Sequence, residues 1–86
     1  MSGVVAVAAK HAGIDAGKVK GPGKIPAQCV ARALACHWLV EDLGLPEVAV
    51  ARHLGITQPA VSRNVKRGRE LARERRFRLG PRGRMS

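Results

Sequence analysis

Apolar residues recur along this chain at helical rather than strand spacing, and the breaks in the pattern fall where helices end. From Pro26 to about Leu43, the residues Cys29, Ala33, Cys36, Val40 and Leu43 recur at alternating steps of four and three, with Val30 and Leu34 widening the stripe. That spacing predicts one long helix packed along most of its length, opened by Pro26 and stopped by Gly44. Pro46 opens a second helix, Glu47 puts negative charge in its first turn, and Gly55 can take the left-handed conformation that ends it. Thr57 then reads as an N-cap with Pro59 in the following turn, so a third helix starts at Gln58. Its inward positions are Val61, Val65, Gly68 and Ala72. Gly68 either permits close packing or divides that helix in two. Val4 to Ala12 is read as a short helix, because no second strand exists to pair with it. Gly13 to Lys24, with four glycines and a proline, reads as a loop from which Ile14 and Val19 tuck onto the core. The expectation is an all-α domain of about four helices over residues 1–78, followed by a disordered basic tail over residues 79–86.

The stretch Leu45 to about Arg67 reads as a helix-turn-helix. Val50, Ala51, Leu54, Ile56, Val61 and Val65 fall where two short helices crossing steeply must touch, with small Ala51 at the crossing. With Val61 and Val65 inward, Pro59, Ser62, Arg63, Lys66 and Arg67 point outward, and Gln58 and Ala60 lie at the exposed N-terminal edge beside Thr57. In such a motif the N-terminal half of the second helix enters the major groove of DNA. Gln58 then suits an adenine edge, Arg63 guanine O6 and N7, and the Ala60 methyl a thymine methyl, with Ser62 beside them. Ser62 also suits a phosphate, as do Lys66, Arg67 and Arg69, and phosphates set register without reading sequence. Arg52 and the loop lysines Lys18, Lys20 and Lys24 are secondary candidates. The competing reading makes Arg69 to Arg78 a solvated face with pairs such as Glu70 with Arg73 and Glu74 with Arg78.

Size and charge narrow the function. A chain of 86 residues is one small domain without room for a deep catalytic cleft. From Thr57 onward, ten Lys/Arg stand against Glu70 and Glu74, whereas Met1 to Ile56 hold six against four. A polyanion is the partner for such a surface. An anionic membrane would want bulky apolar anchors, and single-stranded nucleic acid would want stacking platforms, yet Trp38 and Phe77 are the only aromatic residues of the Phe, Trp and Tyr class. Duplex DNA is the best match. The longest apolar run, Val4 to Ala9, is too short for a membrane span and follows no basic segment, so a cytoplasmic, nucleoid-associated protein is expected.

Candidate chemistry adds little. Cys29 and Cys36 stand seven apart in a helix, about 10 Å along its axis, too far for a disulfide. With His11, His37 and His53 they lack the short spacing of a structural zinc site. Gly21-Pro22-Gly23-Lys24 lacks the earlier glycine of a nucleotide-binding loop and continues into Ile25 rather than Ser or Thr. Asp15 and Asp42 lack acidic neighbours arranged to hold catalytic magnesium. The chain is read as non-enzymatic and without a cofactor. A monomer reading one half-site binds weakly, so homodimerisation or a larger fused or partner protein is expected. The alternative is a basic helical module that binds an acidic protein.

The order of elements from Val4 to Arg76 resembles the C-terminal DNA-binding domain of the bacterial replication initiator DnaA. The likeness lies in a first helix ending His11-Ala12-Gly13-Ile14, a basic loop, the long helix, and Leu45-Pro46-Glu47-Val48 opening the motif. The resemblance implies a TrpR/DnaA-C-like fold and duplex DNA binding. Thr57-Gln58-Pro59-Ala60-Val61 stands where that family carries its initiator-box sequence, and Gln28 near where it carries a basic residue for the minor groove, so the box specificity is not implied. The strings Ala31 to Trp38 and Gly55 to Arg63 are similar to the DnaA-like domain of some REP-associated tyrosine transposases. Gln58 to Arg63 is also similar to a string in LysR-type regulators. This chain contains no tyrosine, so the transposase resemblance implies only the DNA-binding end of such an enzyme.

Overall fold

In the computed structural model, residues 2–19 and 25–77 are described. Helix α1 spans Ser2–Ala12, and a single 3-10 turn, Ala16–Lys18, follows. Helix α2 spans Pro26–His37 and runs into a π-helical turn, Trp38–Asp42. Helices α3, Glu47–Leu54, and α4, Gln58–Arg75, complete the order. Among the described residues there is no strand, and the architecture is an all-α domain of four helices. The basic loop lysines Lys20 and Lys24 and the tail 79–86 lie outside the described residues.

Helix α2 is the centre, packed against α1 on one side and α4 on another, while α3 packs on α4. Residues 31–36 of α2 are all buried, and so are Trp38 and Leu39 of the π turn. Val4, Val5, Ala8 and Ala9 cover them from α1, and Val50, Ala51, Leu54, Val61, Val65 and Leu71 from α3 and α4. The expected packing of Val50, Ala51, Leu54, Val61 and Val65 is therefore present, with Ile56 partly buried beside them.

The local punctuation behaves as its chemistry dictates. Pro46 sits just outside α3 with an extended backbone, and Gly55 closes that helix at φ 71°, ψ 34°. Thr57 caps α4, its Oγ1 accepting the Ala60 N–H at 3.3 Å. Gly68 does not divide α4. A Cβ built there lies 2.0 Å from the Ala33 carbonyl oxygen, so the glycine is what lets α4 lie against the backbone of α2.

Three expectations are corrected. The long helix is not regular to Leu43: it widens at Trp38–Asp42, where the Leu43 N–H reaches the Trp38 carbonyl at 3.0 Å. Within the wider turn the consecutive bulky residues Trp38 and Leu39 are both buried in the core. Leu43 is consequently rotated outward and 49% exposed, and Cys29, Val30 and Val40 are only half-buried. On α4, Ala72 packs half-buried against the core on the expected side, and Leu71 beside it takes the buried position. Beyond α4, Arg76 adopts a left-handed conformation and turns Phe77 back to stack on His11, with ring centroids 4.5 Å apart, while His11 also meets Trp38. Of the Gly13 to Lys24 stretch, the described residues 13–19 are loop apart from the 3-10 turn, and Val19 is fully buried.

Candidate nucleic-acid interface

Helices α3 and α4 are joined by Gly55, Ile56 and Thr57. Because α4 buries Val61, Val65, Gly68 and Leu71, its opposite face is left to Ser62, Arg63, Lys66 and Arg67, all exposed. Thr57, Gln58 and Pro59 are exposed at its N-terminal end, Ala60 is half-buried there, and Arg52 is exposed on α3. Arg63, Lys66, Arg67 and Arg52 form no ion pair with any described residue. Lys24 lies outside the described residues, and Lys18 is exposed after α1.

Two of the expected phosphate-binding side chains are engaged within the molecule. Arg69 grips Glu41 of the π turn with two donors, Nε to Oε1 at 3.0 Å and Nη2 to Oε2. The His37 ring adds a third contact, with Nδ1 2.9 Å from Glu41 Oε1. The Arg69 hydrogen bond, followed by the guanidinium and imidazole charges, holds the Glu41 carboxyl below the usual carboxylate range, and the carboxylate in turn raises Arg69. Arg69 thus ties α4 to the end of α2 rather than standing free for a phosphate. Ser62 Oγ donates to Glu47 Oε1 of α3 at 2.8 Å. The Glu70 and Arg73 ion pair of the competing reading does not form, and its counterpart involving Arg78 reaches outside the described residues.

Arg32 and Asn64 were not among the sequence candidates. Together with Gly55, Ile56, Thr57 and Ala60 they line a cleft of about 310 Å³ beside the start of α4. Arg32 is only 8% exposed and its Nε donates to the Val19 carbonyl at 3.3 Å, which pins the loop to α2. Gln28 reinforces that tie, its Nε2 donating to the Lys18 carbonyl at 2.9 Å. Asn64 Nδ2 donates to the Ala60 carbonyl at 2.8 Å. The signal for Arg32 was its place inside the apolar face of α2, where an arginine stays only if its donors are satisfied.

Among the described residues, no three His, Cys, Asp or Glu side chains converge as a metal site. Burial pushes the Cys36 thiol up to about 12 from its ordinary 9.0, against a smaller opposing pull from Arg32. No described helix is long and apolar enough to cross a membrane. No protein-family model, curated protein or solved structure matches the chain.

Proposed function

We propose that this domain binds double-stranded DNA in a sequence-specific manner, with α3, the Gly55–Thr57 turn and α4 acting as a helix-turn-helix whose α4 enters the major groove. The observation that carries the reading is the two-sidedness of α4: one face is buried against α2 and α3, and the other presents Arg63, Lys66 and Arg67 with no counter-ion among the described residues. Gln58, Ala60 and Arg63 are the base-reading residues, at the end of α4 that its own cap leaves exposed. Lys66 and Arg67 bind phosphates from the next turn, and Arg52 adds a flanking contact from α3. The DnaA-like resemblance agrees with this reading. The domain acts by binding alone, without catalysis or a cofactor, in the nucleoid, as a homodimer or joined to a larger protein.

Selection of bound duplexes from a randomised pool, at two salt concentrations, tests the reading. Wild-type protein is expected to enrich a motif, and Arg63→Ala to blur it at one position while affinity falls with salt for both. Salt-sensitive binding without a motif would leave a nonspecific basic surface. Binding of no duplex at either salt would transfer the basic face of α4 to an acidic protein partner.

A further inference from the structure

We infer that Ser62, held by Glu47, reads an exocyclic amine in the major groove, the N6 amine of adenine or the N4 amine of cytosine, rather than binding a phosphate. The inference rests on the duplex-DNA reading of α4 and fixes the chemistry of one contact within it. Ser62 is exposed on the same face as Arg63, one turn into the helix. Its hydroxyl has one proton and two lone pairs. That proton is committed to Glu47 Oε1 at 2.8 Å, a carboxylate delivered by the first residue of α3, so what Ser62 offers outward is acceptor capacity alone.

A phosphate oxygen is itself only an acceptor and carries negative charge. Beside the Glu47 carboxylate it finds neither a proton to accept nor a charge to neutralise. Guanine O6 and N7 and thymine O4 fail for the same reason. Adenine N7, also an acceptor, fails with them, and the remaining polar groups on the major-groove edge are the amines of adenine and cytosine, both donors. A hydroxyl oxygen and a carboxylate side by side are complementary to that amine and to little else on the duplex. Glu47 is therefore a positioning residue for the contact, fixing the direction in which Ser62 hydrogen-bonds.

The test uses a duplex recovered by selection with the whole chain. Single amines are deleted by placing purine for adenine or pyrimidin-2-one for cytosine, and single phosphates are neutralised as methylphosphonates. Affinities are measured for wild type, Ser62→Ala and Glu47→Gln, with helical content and thermal midpoint confirming that each variant is folded. At one position, amine deletion is expected to weaken wild-type binding by about tenfold and to weaken Ser62→Ala no further. Glu47→Gln, whose amide can donate as well as accept, is expected to lose most of the preference at that position alone. Equal costs of every amine deletion in wild type and Ser62→Ala would overturn the inference, as would a Ser62 dependence that vanishes on neutralising one phosphate. Duplex binding that enriches no sequence would overturn it while leaving DNA binding in place. Failure to bind any duplex would remove the DNA reading itself.

Discussion

Gly68 is the residue whose replacement most sharply separates local preference from packing. In an isolated helix, alanine is favoured over glycine by about 1 kcal/mol. Here the added methyl would sit 2.0 Å from the Ala33 carbonyl oxygen and 2.8 Å from the His37 Cβ, so α4 must move off the backbone of α2. Overpacking of this kind costs up to about 3 kcal/mol, so Gly68→Ala is expected to lower stability by about 2 kcal/mol in denaturant unfolding, against its helix propensity. Thr57→Ala removes the cap of α4 and is expected to cost about 1 kcal/mol in the same measurement. Cys36 supplies a pH signature. Its folded thiol is raised to about 12 from 9.0, so the folded state keeps a proton that the unfolded chain gives up. Stability from this group is intact below pH 9 and declines as the pH rises toward 12. Cys36→Ser is expected to flatten that alkaline decline in unfolding curves, and a thiol reagent to modify half-buried Cys29 well before buried Cys36.

At the scale of elements, sequence reasoning succeeded where one residue's own chemistry decides and missed where distant residues decide together. Pro46, Gly55, Thr57 and Pro59 act through their own dihedrals and hydrogen bonds, so the limits of α3 and α4 were legible. The π turn was not, because a period of three and four continues plausibly to Leu43, and no residue within Trp38–Asp42 marks the wider turn by its own chemistry. Phe77 was obscured by its arginine neighbours, although a left-handed Arg76 brings it onto His11. The proposed interface was legible in its outward positions, Arg63, Lys66 and Arg67, which follow from helical geometry alone. It was illegible in its polar partners, since Glu41 is 28 positions from Arg69 and Glu47 is 15 from Ser62. The Glu41 tie carries its own prediction within the DNA reading. Glu41→Gln frees Arg69, and affinity for random-sequence duplexes is expected to rise with a salt dependence steeper by about one phosphate contact. The double variant Glu41→Gln with Arg69→Ala should return to the behaviour of Arg69→Ala alone, and an additive double variant would mean that the pair only joins α2 to α4.

For the whole molecule, charge and packing are divided between the two halves of the chain. The segment up to Ile56 supplies most of the core and nearly balances its charges, six Lys/Arg against four acidic residues, while the segment after it carries ten Lys/Arg against two. If Arg52, Arg63, Lys66 and Arg67 are the contacting cations among the described residues, the logarithm of the binding constant should fall with that of salt at a slope of about −3 to −4. A slope near zero in a filter-binding titration would contradict phosphate recognition by this face. The π turn sits at the end of α2, inside the first of these segments, and it makes chain length a structural instruction. Closing that turn into an ordinary helical one needs one residue fewer, and an α-helix advances about 100° and 1.5 Å per residue. Deleting Val40 would therefore be absorbed as the turn closes, whereas the same deletion in the regular part of α2 after Ala33 would swing everything after it about the axis of α2 by roughly a quarter turn. Gly68 would then face away from Ala33, and the same side chains, in the same order, would belong to a differently aimed surface.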